Sequence, residues 1–241
     1  MNINNQRIVG EIVAENYKTA AIFKRYRIDF CCNGNRTIAD ATKSKEIDEE
    51  KLLSELNEVM AEKVQGEIDF KAFPIDLLAD YVEKTHHRYI EQRIPEITPF
   101  LSKVARVHGA NHPELLEVEQ LFTETAQDLA AHLKKEELML FPYIRQMVKS
   151  NMGDKKRPKT ALGSATEYIE QMEEEHDAEG ERFRRISELT DNYTPPADAC
   201  RTYMVTFDML REFEEDLHRH IHIENNILFP KSMEMERELV E

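Results

Sequence analysis

Apolar residues recur at steps of three and four through most of this chain. Between Arg7 and Arg27 they fall at Ile8, Ile12, Val13, Ala20 and Phe23, and the spacing predicts a helix that gives out around Asn33-Gly34. A second helix is predicted from about Asp48 to Val64, on Leu52, Leu53, Leu56, Val59 and Met60; Gly66 and Pro74 then mark a boundary. Four longer segments follow, over residues 75–107, 113–149, 161–191 and 197–236. They are separated by His108-Gly109 with Pro113, by the polar stretch 150–159, and by Tyr193-Thr194-Pro195-Pro196. Long helices joined by short connections predict an antiparallel up-down bundle. The expected architecture is all-α: a small helical domain over residues 1–70, then a four-helix bundle over 74–238.

Composition agrees with this. Only seven Gly and nine Pro are present among 41% hydrophobic and 33% charged residues, too few to punctuate the short strands of an all-β fold. A formal net charge of −15 repels the phosphates of nucleic acid and of anionic membranes, so neither is an expected partner. Met1 to Gly10 has neither a basic start nor an apolar run, and no later stretch approaches the roughly 20 apolar residues that span a bilayer. Cys31 and Cys32 are adjacent. Their Cα atoms are about 3.8 Å apart across a trans peptide, short of the usual disulfide range of about 4.4–6.8 Å, so reduced thiols in a cytoplasm are expected.

One chemical pattern occurs twice. His132-x3-Glu136-x3-Leu140-Phe141-Pro142 in the second long helix repeats in register as His220-x3-Glu224-x3-Leu228-Phe229-Pro230 in the fourth. Residues four apart share a helix face, so each motif aims one imidazole and one carboxylate the same way. That way is inward. Phe213, Leu217, His220, Glu224 and Leu228 form one stripe, and Leu129, His132, Glu136 and Leu140 another. A buried carboxylate costs several kcal/mol unless it is compensated, and two facing each other call for cations between them. His176 lies on a stripe with Ile169, Met172 and Phe183, and the first long helix offers His86 and His87. His87 and His132 both lie about 20 residues, or about 30 Å, from the turn that joins their helices. Four imidazoles and two carboxylates can hold a pair of divalent cations, with the carboxylates bridging and two nitrogens on each. Nitrogen and oxygen donors without thiolate suit iron or manganese better than structural zinc. The stripes alone leave His86 and His87 unresolved.

These residues closely resemble the iron–sulfur cluster repair di-iron proteins (the RIC or ScdA family) over nearly the whole chain. The carrying motifs are Asp29-Phe30-Cys31-Cys32, His87 ahead of Ile94-Pro95-Glu96, Val107-His108-Gly109, His132 to Pro142, Glu174-Glu175-His176-Asp177, and His220 to Pro230. The resemblance implies a hemerythrin-like bundle behind an ScdA-type domain carrying a Cys-Cys pair. It implies a carboxylate-bridged pair of iron ions held by His87, His132, Glu136, His176, His220 and Glu224, with Glu136 and Glu224 bridging. It also implies repair of clusters damaged by nitric oxide or peroxide, in the cytoplasm, with damaged iron–sulfur proteins as partners and a possible homodimer.

Three functions compete. An iron donor acts stoichiometrically; a nitric oxide reductase turns over at the two irons; a simple hemerythrin-like protein binds oxygen reversibly, though usually with five histidines rather than four. Cys31 and Cys32 are either a small buried apolar pair or redox or iron-transfer thiols. Glu137 and Glu175 are expected in solvated positions or beside the ligands rather than among them. His218 and His222 are expected at the surface, His108 and His112 as caps at a helix end, and Cys200 as a packing residue.

Overall fold

The computed structural model describes residues 3–43, 47–61, 68–153, 156–158 and 164–239. Val64, Gly66 and the expected start of the third long helix at Ala161 lie outside them. Four short helices come first: α1 (Val9–Glu15), α2 (Thr19–Arg25), α3 (Ile38–Thr42) and α4 (Glu49–Ala61). The single helix expected between Arg7 and Arg27 is thus two. Asn16 breaks it, because its side chain accepts from the Lys18 N–H at 3.0 Å and donates to the Val59 carbonyl at 3.3 Å, bonds that compete with helix continuation.

The remaining chain forms the four long helices, three of them interrupted. The first is α5 (Ile75–Val82) and α6 (Arg88–His108), joined by a π turn at Glu83–His87. The second is α7 (Glu114–Lys135) and α8 (Phe141–Met152), joined by a π turn at Glu136–Leu140. The third is α9 (Ala165–Leu189), started by Ser164, whose side chain accepts from the Glu167 N–H. The fourth is α10 (Arg201–Ile223) and α11 (Phe229–Glu238), joined by a π turn at Glu224–Leu228. Pro142 and Pro230 lack an amide hydrogen, and their rings would crowd the carbonyl four residues back. Each repeated Leu-Phe-Pro therefore loosens the helix one turn after its glutamate.

The helices pack in sequence order as a closed ring, α6 on α7, α7 on α9, α9 on α10 and α10 on α6. Two apolar clusters fill it. One joins the amino-terminal helices to α6, α7 and the upper parts of α9 and α10, and the other gathers α5, α8, α11 and the start of α9. A polar layer of histidine and glutamate separates them.

The amino-terminal segment docks onto this layer. Arg219 lies over the Tyr17 ring at 4.9 Å, and Phe30 and Tyr17 cover His222 with ring centroids 6.0 and 5.8 Å away. His222 is consequently buried rather than at the surface, and burial pushes its pKa down to about 3. The bundle's own stripes could not reveal this, since the covering residues belong to the other domain. The Asn226 side chain donates to the Phe30 and Cys31 carbonyls at 3.2 and 3.3 Å. At about 1 kcal/mol per bond, Asn226→Ala should loosen the cysteine loop and raise the alkylation rate of Cys31 by roughly 10–30-fold; an unchanged rate would show that the loop is held elsewhere.

Candidate metal centre

Each interrupted helix places a polar residue at its π turn. His87 ends one, and Glu136 and Glu224 begin the others. A π turn widens the helix by one residue and re-aims the side chains that follow, which is why such turns recur at functional sites. All six residues expected as ligands meet here, each at most 3% exposed. Their donor atoms form two tetrads: His87, Glu136, His220 and Glu224, and His132, Glu136, His176 and Glu224. Glu136 and Glu224 belong to both.

The spacing suits cations. His87 Nε2 and His132 Nε2 lie 3.3 and 3.4 Å from Glu136 Oε2; His176 Nε2 and His220 Nε2 lie 3.3 and 3.0 Å from Glu224 Oε2. His132 Nε2 and His176 Nε2 face each other at 3.0 Å. Ligand bonds of about 2.1 Å place neighbouring donors about 3.0 Å apart around an octahedral ion and about 3.4 Å apart around a tetrahedral one. Both carboxylate oxygens of Glu136 and Glu224, and the Nε2 atoms of His87 and His220, are buried without a hydrogen-bond partner among the described residues. Orphaned carboxylates at this depth are costly unless positive charge meets them. The residues therefore fit a pair of cations.

The electrostatics point the same way. Burial alone would lower the His87 pKa, but Glu136 and Glu224 outweigh it and raise the pKa to about 10. His176 rises to about 9, burial being outweighed there by Glu224. Despite burial, the surrounding histidines, His220 foremost, hold Glu224 well below the usual carboxylate range. The two carboxylates thus hold positive charge at the centre, as protons on His87 and His176 where no metal cation supplies it.

Outer hydrogen bonds aim three of the imidazoles. His87 Nδ1 lies 3.2 Å from Glu137 Oε1, His132 Nδ1 2.9 Å from Glu175 Oε2, and His176 Nδ1 2.7 Å from Asn225 Oδ1. Such bonds set which ring nitrogen faces the centre. Glu137 and Glu175 thus stand beside the tetrads, and the bond with His132 is the foremost reason that the Glu175 pKa falls to about 2. Glu175→Ala should weaken retention of the metal by roughly 10–100-fold, read by chelator competition, while leaving the saturated count unchanged. His86 is also buried, but its Nδ1 pairs with Asp216 at 3.0 Å and its ring stacks on His220 with centroids 5.7 Å apart. His87 is therefore the member of the pair whose nitrogen reaches the carboxylates.

Sequence reasoning missed Asn225 and Asn226. Their signal was an asymmetry between the repeated motifs, Glu137-Leu138 in the first against Asn225-Asn226 in the second. Other expectations need correction. Cys200 is exposed, with its sulfur 3.3 Å from His108 Nε2, because it stands in the connection ahead of α10 rather than on a core face. His112 pairs with Asp198 at 3.0 Å, so it ties two connections together instead of capping a helix. His218 is half-buried under Phe30.

A four-helix bundle with a buried histidine–carboxylate cation site defines a class, and the comparisons agree with it. A family model described as the hemerythrin HHE cation binding domain matches residues 78–232, and one described as ScdA_N, a domain of unknown function (DUF542), matches residues 5–60. The iron-sulfur cluster repair protein ScdA of Staphylococcus haemolyticus is 33% identical over 229 residues, which cover 95% of this chain and 99% of that one. The iron-sulfur cluster repair protein YtfE of Musicola paradisiaca is 35% identical over 229 residues (95% and 96%), and YtfE of Citrobacter koseri 34% identical over 225 residues (93% and 96%). This chain belongs to the ScdA/YtfE family of iron–sulfur cluster repair proteins. Among the described residues, no helix is long and apolar enough to cross a membrane.

Proposed function

We propose that this chain holds two iron ions, bridged by Glu136 and Glu224, and repairs iron–sulfur clusters damaged by nitrosative or oxidative stress by giving up iron to them. The observation that carries this reading is the pair of buried tetrads sharing two carboxylates, with no sulfur among their donors. His87 and His220 would hold one ion, and His132 and His176 the other. Two ferrous ions bound there supply electrons and open coordination positions for small ligands such as nitric oxide or oxygen.

The chain's own residues do the rest. Glu137, Glu175 and Asn225 keep the imidazoles aimed inward. Oxygen and nitrogen donors hold ferrous iron without the thiolates that would trap it as a cluster. The two flanks differ. His87 is closed in by Phe141, its ring stacked with centroids 5.4 Å apart. His132 and His176 instead border a cavity of about 260 Å³ that Asp128, Glu175 and Glu179 also line. The cavity opens a route from this flank, so the ion that His132 and His176 would hold is the one placed to leave.

The test is to load the protein anaerobically with isotopically labelled ferrous iron and mix it with an enzyme whose cluster nitric oxide has damaged. Label should move, and the partner's activity should return in proportion. If label stays in place while nitric oxide disappears over many turnovers with a supplied reductant, the bundle is a nitric oxide reductase and the donor reading fails.

A further inference from the structure

A second group of metal-binding donors lies in the loop that docks on α9. Asp29 Oδ1 accepts from the Cys31 and Cys32 N–H groups at 3.1 and 3.0 Å, which curls the loop so that both thiols gather beside the carboxylate. Cys31 Sγ lies 3.4 Å from Asp29 Oδ1 and 3.7 Å from Cys32 Sγ, and donor atoms of the three residues all fall within 4.8 Å of one another. We propose that Asp29, Cys31 and Cys32 form a second, thiolate-type metal site, separate from the bundle centre, for a divalent cation that accepts sulfur, such as zinc or ferrous iron.

The distances carry the proposal. Around a tetrahedral ion with metal–sulfur bonds of about 2.3 Å, two sulfurs sit about 3.8 Å apart, and a sulfur and an oxygen about 3.5 Å apart. The observed 3.7 and 3.4 Å already match those edges. Adjacent cysteines resist forming a disulfide with each other, and both are free thiols here.

The helix beneath is shaped for the sulfur. A Cβ at Gly180 would lie 2.8 Å from Cys32 Sγ, so α9 is hollowed where that sulfur rests, with its thiol 3.4 Å from the His176 carbonyl. On the other side, Asp29 and Cys31 join Arg184, Glu214 and His218 in lining a cleft of about 330 Å³, which gives an ion access from solvent and leaves room for a fourth ligand. Binding replaces two thiol protons, which pass to solvent. Two thiolates and one carboxylate then meet a charge of +2, and Arg184, 3.5 Å from Asp29, offsets the remaining negative charge.

The experiment is an anaerobic cobalt(II) titration of the full chain carrying Cys200→Ser, so that the pair supplies the only thiols. The bundle should fill, and a sulfur-to-cobalt charge-transfer band should grow to about one further ion per chain. Cys31→Ser should abolish the band, and Asp29→Asn and Gly180→Ala should each weaken the binding behind it by roughly 10–100-fold. Full bundle loading without any thiolate band in the Cys200→Ser chain would overturn the proposal, as would a band that survives Cys31→Ser. An Asp29→Asn chain that binds as tightly as its parent would contradict the three-donor site. Because the Cys200→Ser chain keeps the whole cluster intact, its titration decides even if a loop variant folds poorly.

Discussion

Replacing Glu136 or Glu224 with alanine is expected to drop the iron content of the purified protein from about two ions per chain to below about one, the count that a shared ligand set implies. Each carboxylate belongs to both tetrads, so either loss removes a donor from two ions at once and leaves their charge undercompensated inside the bundle. The same residues should matter in the metal-free chain as well. There Glu136 is fully buried, with His87 and His132 3.3 and 3.4 Å away, and it helps raise the His87 pKa to about 10, so Glu136 and His87 form a buried ion pair. Removing one partner of a buried ion pair typically costs about 3–5 kcal/mol, because the other charge is left uncompensated. Glu136→Leu should therefore destabilise the metal-free protein in urea by about 3–5 kcal/mol, and should also forfeit the stabilisation expected from bound iron. Full iron occupancy in both alanine variants would overturn the assignment of these two residues as ligands.

Removing the metal is expected to lower the melting temperature by about 5–11 °C for each ion lost. Ions that bind only the folded chain stabilise it by mass action, by about 2.7 kcal/mol at a free concentration one hundred times the dissociation constant, and in chains of about 150–250 residues each kcal/mol is worth about 2–4 °C. The effect should concentrate in the bundle, because every tetrad residue lies between its two apolar clusters. Scanning calorimetry of chelated and ferrous-reloaded protein measures it. An unchanged melting temperature would mean that the buried carboxylates are satisfied by something other than metal.

Most of the bundle and its polar layer could be read from the sequence because both depend on local periodicity. His132 with Glu136 and His220 with Glu224 sit four residues apart on apolar stripes, and a helix can do little with such pairs except face them inward. The π turns were not legible. The sequence shows Pro142 and Pro230, but the widening they induce depends on how the neighbouring helices pack around the turn. Burial of His222 was hidden for a different reason: Tyr17 and Phe30 cover it from about 200 residues away, beyond the reach of any stripe. The resemblance pointed to His87 rather than His86, but the apolar stripes alone could not separate them. Both are buried, and only their partners, Glu136 for one and Asp216 for the other, tell them apart.

On the proposed function, two ions lie between four imidazoles and two shared carboxylates. Anomalous scattering from crystals of the ferrous-loaded protein, recorded on either side of the iron absorption edge, tests it most directly. Two iron peaks are expected in the polar layer, one beside His87 and His220 and one beside His132 and His176, both in contact with Glu136 and Glu224. A single peak, or iron bound away from these carboxylates in fully loaded protein, would contradict it.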